Sequence, residues 1–181
     1  FITGENTGQF LYSAVRGQIK NIFDGEVKSH SISSETTFTF DLTDIYTIET
    51  TILELSHSLI FRLLKNNGFS KTVMIKIRYE DFSTVSIRQT FDQNILTLDS
   101  LYAKAKYLFE KKYTPGRGVR LIGIGLENIE NTEHPFQQEL FENNNEKKQK
   151  VEKAIINLEK KHPEIKVHKA RMLEKMNKNL K

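Results

Sequence analysis

The sequence predicts an α+β domain with a ferredoxin-like β-α-β-β-α-β order of elements: a four-stranded antiparallel sheet carrying two helices on one face. Three observations predict it. Two stripes of apolar residues recur at helical spacing, at Ile45–Leu63 and at Leu98–Phe109. Between them stand two β-rich runs around a polar turn. One alternating run precedes the first stripe and one apolar run follows the second.

The elements follow in order. Residues 1–25 are punctuated by glycine, as in FITGENTGQFLYSAVRG, with an amphipathic turn or two at Phe10, Leu11, Ala14 and Val15. Such a segment cannot form a core alone, and with Phe1 in place of Met it reads as the end of an element that begins upstream. ETTFTFDL alternates, with Phe38 and Phe40 on one side and Thr37 and Thr39 on the other, which is a strand. Thr43 or Asp44 is placed to cap a helix whose buried stripe is Ile45, Ile48, Ile52, Leu55, Leu59 and Leu63, with Gly68 as its stop. KTVMIKIRYEDFSTVSIRQTF reads as a hairpin turning at Glu80-Asp81. Leu98, Leu101, Tyr102, Ala105, Leu108 and Phe109 line a second helix that stops at Pro115-Gly116, and VRLIGIGLENI is the last strand. Beyond Ile129 the composition turns polar, and a further helix has only Val151, Ile155 and Leu158 to bury before His162-Pro163 interrupts it. The expected division is 1–25, 26–130 for the sheet domain, and 131–181 for a linker and basic helical tail.

Composition narrows the class. There is no cysteine among 181 residues, so disulfides and thiolate zinc sites are excluded, which suits a reducing cytoplasm. No basic-then-apolar leader opens the chain, and TILELSHSLIFRLL is too short and too polar to span a bilayer; a soluble protein with no membrane partner is expected. The net charge of +4 is unevenly placed: residues 143–181 hold 12 basic and 5 acidic side chains, the remaining 142 residues 15 and 18. A basic tail suits a polyanion, though a solvated tail is the commoner use of such charge.

If the helices cover one face of the sheet, the other is left open. Val73, Ile75, Ile77, Val85 and Ile87 point inward on the hairpin. The opposite positions are then Met74, Lys76, Arg78, Thr84, Ser86, Arg88 and Thr90, joined by Thr37 and Thr39 of the first strand. On the last strand Ile122, Ile124 and Leu126 face inward, which leaves Gly123 and Gly125 on the open side. This surface reads as hydroxyls and cations with almost no carboxylate. Such groups suit phosphate oxygens, and contacts of that kind hold a nucleic acid without reading its sequence. A merely solvated face would use the same residues.

Catalytic patterns are missing. His30, His57, His134, His162 and His168 have no metal-ligand spacing, and His57 reads as a packed helix residue. Glu80-Asp81 fits turn chemistry better than a cation site. No glycine-rich loop opens a helix, since GRGVRLIGIG leads into a strand. Neither catalytic nor metal-binding residues are expected in this chain.

Taken in order, GQFLYSAVRG, VKSHSISSETTFTFDLTD, VMIKIRYEDFSTVSIRQTF and GRGVRLIGIGLENI resemble the C-terminal part of bacterial Y-family translesion DNA polymerases. The first is similar to the last thumb helix, the second to the linker and first strand of the little-finger domain, the third to its hairpin and the fourth to its closing strand. His30-Ser31 departs from the Ile-Gly or Val-Gly common there, and the resemblance fades beyond Phe141.

The resemblance implies that palm, fingers and most of the thumb lie upstream, with the carboxylates that hold two magnesium ions for nucleotidyl transfer. No cofactor is implied for this chain itself. It also implies that the open sheet face grips the template-primer duplex, through Thr37, Thr39, Lys76, Arg78, Thr84, Ser86, Arg88 and Thr90, with Lys28 and Ser29 in the linker. A monomer is expected.

One short stretch lies beyond the sheet. In HPFQQELFENNNEKK, Leu140 and Phe141 stand together in a polar run with no apolar neighbour at regular spacing before Val151. Gln137, Leu140 and Phe141 fit the Gln-x-x-Leu-Phe pattern that the resemblance associates with docking on the bacterial sliding clamp. Burying both apolar side chains in a preformed pocket is worth about 3–6 kcal/mol before ordering costs. Packing on the domain's own flank is the alternative. Two rival functions stand beside the polymerase reading: a non-catalytic DNA- or clamp-binding adaptor, and a protein-interaction domain that binds no DNA.

Overall fold

The computed structural model describes residues 4–18, 31–131, 143–162, 164–165 and 167–173. The first helix, α1 (Glu5–Val15), leaves Phe10, Leu11, Tyr12 and Val15 exposed. The body follows as β1 (Ser31–Leu42), α2 (Ile45–Lys65), β2 (Gly68–Tyr79), β3 (Thr84–Ile95), α3 (Leu98–Lys112), β4 (Val119–Glu127) and the two-residue β5 (Glu130–Asn131). All pairings are antiparallel, in the order β1-β4-β2-β3, with β5 against the start of β2. The expected α+β order of elements is observed, with β1 and β3 at the edges and the last long strand inserted between β1 and β2.

Helix ends follow from capping chemistry. Asp44 accepts a hydrogen bond from the Thr47 amide at 2.9 Å and opens α2; Thr97 does the same for Ser100 at 3.2 Å and opens α3. Beyond α2 the left-handed residue is Asn67, with φ 50°, whereas Gly68, the expected stop, already begins β2. Asparagine tolerates this conformation because its short side chain bonds locally.

The core lies between one sheet face and the helix pair. Val73, Ile75, Ile77 and Tyr79 of β2 are 1% exposed or less, packed against Ile48, Ile52, Leu59 and Leu63 of α2 and Leu101, Ala105, Leu108 and Phe109 of α3. Helix α2 lies over β1 and β4, and α3 over β2 and β3. Phe38 packs on this core, but Phe40 is 79% exposed. Their expected common side is lost because the β1–β4 register shifts between Thr37 and Leu42.

The basic tail does not stand free. Helix α4 (Asn143–Lys161) buries Ile156, while Val151 and Leu158, expected to be its core face, are exposed. Further on, Met172 is 4% exposed and joins the core cluster. Arg171 clasps both body helices: it donates to Thr50 Oγ1 at 3.1 Å, Tyr102 OH at 3.1 Å and Glu49 Oε2 at 3.2 Å, and its guanidinium stacks over Tyr46. Glu152 Oε1 accepts from the Leu98 amide at 2.6 Å, at the first turn of α3. Asp99 pairs with Lys148 and Lys169, and His57 contacts Phe61 and His168.

Acid should loosen this attachment. Burial and the adjacent His168 push the His57 imidazole down. Hydrogen bonds from Lys169 and Lys148 hold the Asp99 carboxyl down. For Glu49, burial pushes up but the hydrogen bonds from Lys106 and Arg171 prevail and lower it. A folded value below the unfolded one gives stability that is present above the unfolded value and lost as pH falls through the folded one. Glu152, raised by burial, works in the opposite sense among the carboxylates of this attachment. The protection of amides in residues 169–173 against exchange, taken relative to the intrinsic rate at each pH, should therefore fall before that of β2 as pH drops below about 6.5. Arg171→Ala should produce the same early exchange at neutral pH.

Candidate functional site

The face turned away from the helices is built by the alternation of four strands. Register aligns its side chains in rows. Ser31, Glu127, Thr72 and Thr90 form one; Ser33, Gly125, Met74 and Arg88 the next; Glu35, Gly123, Lys76 and Ser86 the third; Thr37, Leu121, Arg78 and Thr84 the fourth. The structure thus gathers Thr37, Lys76, Arg78, Thr84, Ser86, Arg88 and Thr90 on one surface. Thr39 is exposed on the segment where the β1 register shifts. Lys28, Ser29, Gln137, Leu140 and Phe141 lie outside the described residues.

The face is less purely basic than the sequence pattern suggests. Lys76 Nζ lies 2.5 Å from Glu35 Oε2, and Arg88 Nη1 lies 3.4 Å from Glu127 Oε2. Both carboxylates were legible: Glu35 sits two positions before Thr37 and Glu127 two after Gly125, so alternation puts them on the open side. Arg78 differs, with Nε donating to Thr84 Oγ1 at 3.0 Å. Thr72 and Thr90 bond hydroxyl to hydroxyl at 2.9 Å, and Ser70 Oγ donates to the Glu127 carbonyl at 2.6 Å. Leu121 is 4% exposed yet stands apart from the main core, an apolar floor beside Arg78 and Thr37.

The arginines of GRGVR serve a different end of the sheet. Arg120 makes two 2.9 Å hydrogen bonds to Asp41 and lies over the Phe82 ring at 4.4 Å. Arg117 pairs with Asp81 at 2.7 Å and stacks over Tyr79 at 4.0 Å. These contacts tie the start of β4 to β1 and to the hairpin turn, where Phe82 has φ 64° and Asp81 accepts from the Ser83 amide at 3.0 Å. Among the described residues, no group of three His, Asp or Glu side chains is placed to hold a metal ion, and no helix is long and apolar enough to cross a membrane.

Residues 29–140 match the impB/mucB/samB family C-terminal domain. The chain belongs to that family. Among curated relatives it is 38% identical over 175 residues to DNA polymerase IV of Treponema denticola, aligning 96% of this chain with 44% of that protein. DNA polymerase IV of Listeria welshimeri is 33% identical over 122 residues, 67% of this chain and 34% of that one. The chain thus spans less than half the length of these relatives. Of solved structures, an insertion ternary complex of Dbh DNA polymerase aligns with 72% of this chain and 37% of its own at 22% identity and a TM-score of 0.51. A Y-family DNA polymerase chimera built on Dbh aligns at 21% identity and 0.53. At these identities the structures support the fold of the impB/mucB/samB domain.

The tightness of the third row is testable. A Cβ at Gly123 would stand 3.1 Å from Glu35 Cβ and 3.7 Å from Lys76 Cβ. Gly123→Val should therefore destabilise the domain by about 1–3 kcal/mol in urea unfolding, the usual cost of overpacking.

Proposed function

We propose that this impB/mucB/samB domain is the DNA-gripping little finger of a translesion DNA polymerase, DNA polymerase IV, holding the template-primer duplex on its open sheet face. The observation that carries this reading is the set of aligned hydroxyls and cations on the one face the helices leave uncovered. Arg78 and Arg88 supply charge to phosphate oxygens, and Thr37, Thr84, Ser86 and Thr90 supply hydroxyl donors. Thr39, Lys28 and Ser29 extend the contact. Lys76 lies at its centre, paired with Glu35. Backbone contact without base readout suits an enzyme that accepts any sequence and a damaged base.

In this reading nucleotidyl transfer, with its two magnesium ions, belongs to the part of the polymerase outside this chain. The described residues offer no acidic cluster that fits a metal, so no chemical step is assigned to them. The protein acts as a monomer in the cytoplasm and reaches the primer terminus through the sliding clamp, with Leu140 and Phe141 entering an apolar pocket while Gln137 bonds at its rim. Gln137 and Leu140 stand at the end of the family match and Phe141 just beyond it, a position that supports that role.

Two measurements test the reading. Arg78→Ala and Arg88→Ala should each weaken duplex binding about 5–10-fold whatever the sequence, and each should reduce the slope of log affinity against log salt by about one. No change in either variant would favour a protein-interaction domain. In a pull-down with the sliding clamp of the same organism, Leu140→Ala/Phe141→Ala should abolish binding. Undiminished binding would make these two residues packing residues.

A further inference from the structure

The cations of the sheet face are held in different ways. Arg88 is 75% exposed and only loosely paired, at 3.4 Å. Arg78 faces a hydroxyl. Lys76 is 29% exposed and in close contact with Glu35, at 2.5 Å. That contact crosses a whole strand, because Glu35 on β1 and Lys76 on β2 both pair with Gly123 of β4. Strands lie ~4.8 Å apart, so the two backbones are separated by roughly 10 Å. Their side chains meet over position 123 because it carries no side chain, and the Cβ a larger residue would bring stands 3.5 Å from Glu35 Oε2.

We propose that Glu35 is the affinity-setting residue of this face: it keeps Lys76 in a neutral pair across Gly123 and leaves the phosphates to Arg78 and Arg88. The inference rests on the DNA-binding reading and deepens it. A phosphate approaching the centre of the face meets a carboxylate as well as an ammonium. To claim Lys76 it must displace a partner already in contact, and that partner stays close enough to repel it. The duplex is then gripped towards the hairpin edge and only weakly at the centre. A polymerase has to shift along its product duplex by one base pair at every added nucleotide, exchanging phosphate contacts, and a neutral centre lowers the barrier to that step.

Fluorescence anisotropy of a labelled template-primer duplex, titrated with the whole chain at several salt concentrations, tests the proposal. Glu35→Gln should bind about 3–10-fold tighter, with the salt slope steeper by about one, because the freed Lys76 adds a phosphate contact. The doubly neutral Glu35→Gln/Lys76→Gln should bind like the unsubstituted chain within about twofold, since it removes a pair that was already silent. The proposal is overturned if Glu35→Gln changes neither affinity nor slope. It is equally overturned if the double variant binds as weakly as Arg78→Ala, which would mean that Lys76 grips DNA itself.

Arg78→Ala separates the two levels of the argument. If it weakens binding while Glu35→Gln does nothing, the DNA face stands and the role of Glu35 falls. If the unsubstituted chain shows no salt-dependent binding, both fall together. Should Glu35→Gln lower the melting temperature, the ¹⁵N signal of the Lys76 ammonium in the unsubstituted chain decides instead. It stays unmoved on DNA addition under the proposal, and a shift overturns it.

Discussion

The rest of the structure depends on the burial of one side of β2. Val73, Ile75, Ile77 and Tyr79 are almost wholly removed from water, and β2 pairs along most of its length with both β4 and β3. Each such side chain contributes about 1.5–3 kcal/mol when buried. Side chains alternate with a period of two, so a slip by one residue would put Lys76 and Arg78 in the core and the apolar set in water. Register is therefore strongly held, and the polar face follows from it. What would touch DNA is positioned by what must avoid water.

The same core accounts for the tail. Helices α2 and α3 pack on the sheet with one side and offer the other to residues 143–173, where Met172 enters the core cluster and Arg171 spans both helices. The excess of basic charge in residues 143–181 is thus partly answered within the molecule, by Asp99 and Glu49. The exposed ion pairs of Asp99 contribute little each, about 0–1 kcal/mol. The buried Met172 and Ile156 and the multiple bonds of Arg171 are the stronger attachment. The layer order is then sheet, helix pair, tail, with the open face on the far side from the tail.

On that face the physics is one of moderation. Three cations stand among hydroxyls, but two of them have a carboxylate at hand, and the glycines of β4 leave a shallow strip down the middle. A surface of uniform positive charge would hold a duplex hard and respond steeply to salt. Under the proposed function, a face with charge at one edge and an internal pair at the centre suits a duplex that has to move across it.

Much of this was legible in the chain. Period-two runs and 3.6-residue stripes determined the four long strands and the two helices of the body, the cap at Asp44 lay where a short polar side chain precedes an apolar stripe, and the inward and outward sides of the hairpin followed from alternation alone, whereas the short β5 and the Thr97 cap were not read from the chain. The resemblance to bacterial Y-family polymerases rested on ordered short stretches, most of them within residues 29–140 of the family match. Other features needed the fold. Strand order cannot be read from alternation, so the meeting of Glu35 with Lys76 over Gly123 was invisible until β4 was placed between β1 and β2. The register shift that exposes Phe40, and the choice of Ile156 over Val151 as the buried face of α4, depend on partners distant in sequence. Local pattern determines which side of an element is apolar. Only the packed chain decides which element that side meets, because that choice is made by contacts whose energy no single segment contains.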